Sequence, residues 1–202
     1  MVKRSSITLD KLFQPLARVS TDKCLFIPIN LEDAEFIFNL RKNHEKSFLR
    51  KSDDTIENQR HYIQNYFYRF ENREEIYYKV LNKNSGEVEA VVRLTELNKD
   101  GVFNWESLIS VPGADPTTPI DIMLTVYKIG FDHLGKEICG PWDVDRQHTS
   151  MQKIHKIVNM AKRVGADEHY FKYSVDVQDY RAEMPKYKSL GFAKNIEVHH
   201  DR

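Results

Sequence analysis

Residues 120–144 read IDIMLTVYKIGFDHLGKEICGPWDV. Ile120, Met123, Leu124, Tyr127, Phe131 and Leu134 stand at offsets 0, 3, 4, 7, 11 and 14, the spacing of one apolar face of a helix. Gly135 ends that helix, because glycine adopts the left-handed conformation that closes a helix C-terminus. Residues 137–144 then read as a strand. A helix with one apolar face between strands is the strand–helix–strand crossover of a helix-covered sheet.

Working outward, residues 76–81, 88–97 and 102–111 read as three strands. Asn84-Ser85-Gly86 and Asp100-Gly101 supply the turns between them, so the three form an antiparallel meander. Pro112-Gly113-Ala114-Asp115-Pro116 breaks the third strand before the 120–134 helix. Further upstream, Cys24-Leu25-Phe26-Ile27-Pro28-Ile29 is a strand. Asn30 caps a short helix with Asp33 in its first turn and Phe36, Ile37 and Leu40 on its apolar stripe. A second helix starts after Thr55, with Ile56, Ile63, Tyr66, Phe67 and Phe70 on one side. Downstream, Thr149 is expected to cap a helix over residues 149–164 carrying Met151, Ile154, Val158 and Ala161. Residues 170–175, 179–190 and 192–198 read as strand, helix and strand. This order predicts a mixed α/β fold with a central sheet of about seven strands and helices on both faces. Residues 24–202 form one domain, and residues 1–23 are an extension that packs across it or a loose tail.

Composition narrows the function classes. The 202 residues are 41% hydrophobic and 30% charged, as in a globular protein. Thirty basic residues balance thirty acidic ones, so no net field points to nucleic acid or an anionic membrane. Cys24 and Cys139 are too few for a disulfide framework. No stretch approaches the roughly 20 apolar residues of a membrane span, and no apolar block follows the basic residues of the first ten, so a cytoplasmic protein is expected. The eight histidines show no metal-ligand spacing, and neither a phosphate-binding Walker loop nor a dinucleotide fingerprint is present.

Over residues 24–198 the sequence resembles the GCN5-related N-acetyltransferases (GNATs), closest to the branch that acetylates nucleotide-linked amino sugars and to its relatives acting on ribosomal-protein N-termini. The resemblance rests on element order and on Phe131-x-x-Leu134-Gly135-x-Glu137-Ile138, followed by a strand and by His148-Thr149-Ser150-Met151 opening a helix. Tyr187-Lys188-Ser189-Leu190-Gly191-Phe192 resembles the family's closing phrase. Leu40-Arg41-x-Asn43 and Thr55-x-Glu57-x-Gln59 look like the sugar-modifying branch. The resemblance implies acetyl-CoA as co-substrate, no metal, a small amine as acceptor and no nucleic-acid or membrane partner; it admits a homodimer. It also implies that Ser110, Val111, Thr117, Thr118, Ile120, Asp121, His148 and Met151 meet the acyl-CoA. A peptide or protein amine is the alternative acceptor, and a non-catalytic binding protein the alternative function.

One departure bears on the co-substrate. The family's glycine-rich loop, whose N–H groups close on a diphosphate, corresponds here to Asp115-Pro116-Thr117-Thr118-Pro119-Ile120-Asp121. No glycine is present, Pro119 lacks a donor, and two aspartates bring negative charge. The N–H groups of Thr117, Thr118, Ile120 and Asp121 are expected to serve instead. On this reading Asp121→Arg should tighten CoA binding.

Acyl transfer to an amine needs a base, an oxyanion site and a proton for the leaving thiolate. Glu106, mid-strand, is the candidate base, against the plainer alternative of a glutamate that faces solvent or pairs with a lysine on a neighbouring strand. His155, seven residues after His148, matches the family's acid tyrosine and is the candidate proton donor, against a half-buried structural histidine. Trp142 and Asp143, at the end of a strand, and Arg41 and Asn43, at the end of a helix, are candidates for holding the acceptor. The aromatic segment 62–70 is either a pocket wall or core.

Overall fold

Local signals set many of the element boundaries. The computed structural model describes residues 7–14, 16–43 and 55–200; residues 1–6 and 15 of the expected N-terminal extension lie outside them. Nine strands form one sheet: β1 (Arg18–Ser20), β2 (Cys24–Pro28), β3 (Ile76–Asn82), β4 (Val88–Thr95), β5 (Val102–Ser110), β6 (Ile138–Asp145), β7 (Lys162–Ala166), β8 (Tyr170–Asp176) and β9 (Glu197–His199). Their order across the sheet is β7-β8-β6-β5-β4-β3-β2-β1-β9. The helices are α1 (Leu9–Leu12), α2 (Ala34–Asn43), α3 (Ile56–Glu71), α4 (Thr118–Lys128), α5 (Thr149–Val158) and α6 (Val177–Ser189).

The meander β2-β3-β4-β5 is antiparallel throughout. Side chains alternate across it, as a pleated sheet requires. Ile76, Tyr78 and Val80 of β3 join the core under α4 and α6, whereas Tyr77 joins a second core with Ile37 and Leu40 of α2 and Ile63 and Tyr66 of α3. Helices therefore cover both faces of the sheet. Asn30 and Asp33 cap each other's backbone N–H groups in a capping box.

Two strands exceed the expected seven. Arg18–Ser20 pairs with β2 on one side and β9 on the other, and Ile7, Leu12 and Val19 are fully buried. Lys162–Ala166 forms a hairpin with β8. This hairpin exists because α5 stops six residues early: Asn159 takes a left-handed conformation (φ 51°) and its N–H returns to the His155 carbonyl. The last strand is shorter than expected, because Ala193 (φ 45°) and Asn195 (φ 50°) interrupt the extended run.

Helix α4 differs from a simple amphipathic helix. Met123, Leu124 and Tyr127 of its expected stripe are buried and Ile120 is half-buried, but Asp121, Ile122, Thr125 and Val126 are buried too. The chain ends cover its outer side: Asp121 accepts hydrogen bonds from the Ala193 N–H (2.8 Å) and the Thr21 hydroxyl (3.4 Å). Each large apolar side chain buried this fully contributes about 1.5–3 kcal/mol, so α4 anchors the domain. After Lys128 the helix widens into a π turn over Ile129–His133.

Candidate functional site

Strands β5 and β6 are parallel neighbours at only two positions, Val102↔Ile138 and Phe103↔Cys139. Beyond them the strands diverge, and a cleft of about 950 Å³ opens between them. Both strands are irregular where they line it. In β5, Glu106 lies opposite Arg93 and Ile109 opposite Val91, so one extra residue is accommodated and Ser107 takes a positive φ of 53°. Such a bulge re-aims side chains at the rim of a site. In β6 the register shifts between Cys139 and Trp142. Gly140 makes that possible: its φ is +103°, and a Cβ there would lie 2.9 Å from the Tyr173 carbonyl oxygen. The turn brings Trp142 against Trp105, ring centroids 5.2 Å apart, on the floor of the cleft.

Glu106 lines the cleft with its side chain 47% exposed. Arg93, across the ladder on β4, donates to Glu106 Oε2 and so fixes the carboxylate. The same guanidinium donates to the Tyr62 hydroxyl, to Ser107 Oγ (3.2 Å) and to Glu75 Oε1 (3.3 Å), and Arg69 Nε donates to Glu75 Oε2 at 2.8 Å. Buried Glu75 thus sits between two arginines, and among the described residues each charge of the network has an opposite charge beside it, although Arg69 Nη2 has no hydrogen-bond partner there. Glu106 faces the cleft, and its cross-strand partner is an arginine where the plainer sequence alternative expected a lysine. Arg93 is the residue that sequence reasoning missed. A lone arginine in Ala90-Val91-Val92-Arg93-Leu94 was the available signal.

Arg41, Tyr62, Tyr77 and Gln59 line the side of the cleft under α2 and α3. The Tyr77 hydroxyl is fully buried and has no hydrogen-bond partner among the described residues; burial pushes its pKa up to about 12. The expected acceptor residues divide: Arg41, Trp142 and Asp143 line the cleft, the last with Lys172 at 3.6 Å, whereas Asn43 is exposed outside it. In the 62–70 segment Tyr62 is a wall residue, and Ile63 and Tyr66 are core.

His148, not Thr149, caps α5: its Nδ1 accepts the Met151 N–H at 3.0 Å, and both residues line the cleft. His155 does not reach it. The ring is 4% exposed, behind Trp142, whose indole N–H donates to His155 Nε2 at 3.3 Å. Burial, with a smaller contribution from His148, lowers its pKa to about 4. The sequence expectation of a protonated, cleft-facing donor is therefore not met. A helical repeat places Ile154 and His155 on adjacent sides of α5, and packing against Trp142 and Tyr173 turned the imidazole inward while Ile154 faces the cleft.

Neither a protein-family model nor a curated relative matches this sequence. Solved structures do. FdhC, described as a nucleotide-linked sugar GNAT, gives a TM-score of 0.75 at 24% identity over 86% of this chain and 98% of its own. A GCN5-related N-acetyltransferase from Brucella melitensis gives 0.64 at 13% identity, over 87% and 86% respectively. The spermidine/spermine N-acetyltransferase SpeG from Vibrio cholerae gives 0.62 at 11% identity, over 80% and 98%. The chain has the GNAT fold.

That fold implies an acyl-CoA whose diphosphate lies at the start of α4. In this GNAT fold the start of α4 does not fit a diphosphate. The Thr117 N–H and hydroxyl both donate to Asp115 Oδ1 at 2.7 Å. The Thr118 N–H goes to the Asp115 carbonyl (2.9 Å), and those of Ile120 and Asp121 go to the Thr117 carbonyl (3.1 and 3.0 Å). The Thr118 hydroxyl donates to Glu89. Asp121 points away from the cleft and into the core, so it neither opposes nor meets a phosphate there; the sequence expectation for Asp121→Arg fails on that geometry. Ile120 packs into the core. Val111 packs against α2 and α3 with its N–H on the Glu89 carbonyl, and of the expected donor residues Ser110, His148 and Met151 line the cleft. Among the described residues no group of acidic, histidine or cysteine side chains could hold a metal, and no helix is long and apolar enough to cross a membrane.

Proposed function

We propose that this protein is an N-acyltransferase that moves an acyl group from a thioester, of which acetyl-CoA is the simplest, to the amine of a small acceptor. A nucleotide-linked amino sugar is the preferred acceptor class, and a cytoplasmic location goes with it. The observation that carries the reading is the opening of β5 from β6 with Glu106 fixed at its side.

Glu106 takes a proton from the acceptor ammonium, directly or through one water, and so frees the lone pair that attacks the acyl carbon. Arg93 holds the carboxylate in place, which keeps the base oriented before the amine arrives. Trp105 and Trp142 give the reacting groups an apolar floor, where hydrogen bonds count for more than in water. Arg41 offers a cation to a phosphate on the acceptor, and Asp143 an anion to its ammonium. The leaving thiolate takes its proton from water, since the buried, neutral His155 is not in reach. The likeness to FdhC, a nucleotide-linked sugar GNAT, supports the acceptor class.

The test is thiol release from acetyl-CoA with a panel of nucleotide-linked amino sugars, polyamines and N-terminal peptides. Glu106→Gln should lower turnover about 10²-fold while leaving the affinity for acetyl-CoA unchanged. Turnover equal to wild type across the pH range removes Glu106 from the chemistry. The second reading, a binding protein without turnover, is favoured by the closed start of α4. Calorimetric binding of an amino-sugar nucleotide with no thiol release from any thioester would establish it.

A further inference from the structure

We infer that a donor thioester is recognised along its pantetheine arm alone, and that the diphosphate of CoA adds nothing to binding; the inference rests on the acyltransferase reading. Anion binding at a helix start draws on N–H groups that have no partner within the helix. Here every N–H from Thr117 to Asp121 already has one within the chain, and Pro119 has none to give. In the loop ahead, Pro112 and Pro116 lack an N–H, and those of Val111 and Ala114 are bonded to Glu89 and Val111 carbonyls. Gly113 and Asp115 remain, two donors on an exposed turn in place of a converging set.

Charge works in the same direction. Asp115 is exposed just ahead of α4, and the two hydrogen bonds from Thr117 hold its carboxyl below the usual carboxylate range. It stays ionised where a diphosphate would have to come. Glu89 lies beneath it, bonded to the Thr118 hydroxyl and, at 3.0 Å, to Asn82 Nδ2. Lys23 exerts a favourable field on Asp115, but its ammonium stands over the Phe192 ring at 4.6 Å. A diphosphate placed here would meet like charge and lose its water without gaining donors, an arrangement that selects against it. The arm of the donor is free of this conflict, since it runs along the opening between β5 and β6, where the two strands no longer bond each other.

The experiment is calorimetry on the full chain with acetyl-CoA and with S-acetylpantetheine, which carries the same arm and thioester without any phosphate. The two dissociation constants should agree within threefold, or favour S-acetylpantetheine. Acetyl-CoA binding more than threefold tighter overturns the inference and leaves the acyltransferase reading standing. No binding of either thioester at millimolar concentration overturns both. Asp115→Ala frees the Thr117 N–H and removes the charge. It should tighten acetyl-CoA by threefold or more and leave S-acetylpantetheine unchanged; no gain on acetyl-CoA overturns the assignment of the seal to Asp115.

Discussion

Two polar clusters, one at the start of α4 and one in the cleft wall under α2 and α3, are built in opposite ways. At the start of α4, Asp115, Thr117, Thr118, Glu89 and Asp121 use up one another and the nearby backbone. In the cleft wall, the Tyr77 hydroxyl is just as buried and has no partner among the described residues. A buried polar group without a partner costs about 1–3 kcal/mol, so its presence at a cleft wall points to a ligand that completes it. On the proposed function, the difference puts recognition on the side assigned to the acceptor, and not at the helix start where the fold would lead one to look.

The harshest way to break that comparison is Asp121→Arg. If the start of α4 is structural, this change buries an uncompensated cation and strips the Ala193 N–H of its acceptor. A loss of about 3–5 kcal/mol, or failure to fold, should appear in thermal or urea denaturation. A stable Asp121→Arg protein with tighter CoA binding would make α4 a phosphate site after all.

His155 asks whether burial alone explains an unpartnered group, since its Nδ1 lacks a partner yet the ring does not line the cleft. Its folded pKa of about 4 lies below the unfolded value of 6.5. Between those values the unfolded chain binds more protons than the folded one, so stability should rise with pH across that window and be fully present above pH ~6.5. The full swing is about 3 kcal/mol, and His155→Phe should flatten it in denaturation curves taken at pH 4 to 7. An activity limb that follows the His155 titration would return the imidazole to the chemistry.

The mildest change sharpens the comparison most. Tyr77→Phe removes a hydroxyl that nothing in the described chain uses, so stability should hold or rise by up to about 1 kcal/mol. The KM for the acceptor should rise about tenfold with little change in kcat, if the hydroxyl contributes one hydrogen bond to bound substrate. An unchanged KM would show that the orphaned hydroxyl marks nothing.

Much of the fold was legible because its signals are local. The cap at Asn30 with Asp33 in the first turn, the glycine turns of the meander and the stripe of α4 each lie within a few residues of chain. The strands that escaped notice carry little such signal. Lys162–Ala166 has mainly exposed side chains and so no apolar alternation, and Arg18–Ser20 is three residues long. Of the site, Glu106, Trp142, Asp143 and Arg41 could be named from their places on elements, and His148 only from the family resemblance. Arg93 could not, because its role depends on Glu106 of β5, Glu75 of the loop before β3 and Tyr62 of α3 being brought around it.

By itself, the sequence determined the element order, the two-faced sheet and the glycine-free approach to α4, since backbone propensity and apolar periodicity are properties of neighbouring residues. Tertiary structure alone decided what those residues do. It covered the outer side of α4 with the two chain ends, which turned Asp121 from a surface charge into a core acceptor. It rotated His155 behind Trp142 and left the Tyr77 hydroxyl, at a cleft wall, without a partner among the described residues. Burial and hydrogen-bond partners come from residues distant in the chain, and they fix whether a polar side chain is spent on the fold or kept for a ligand.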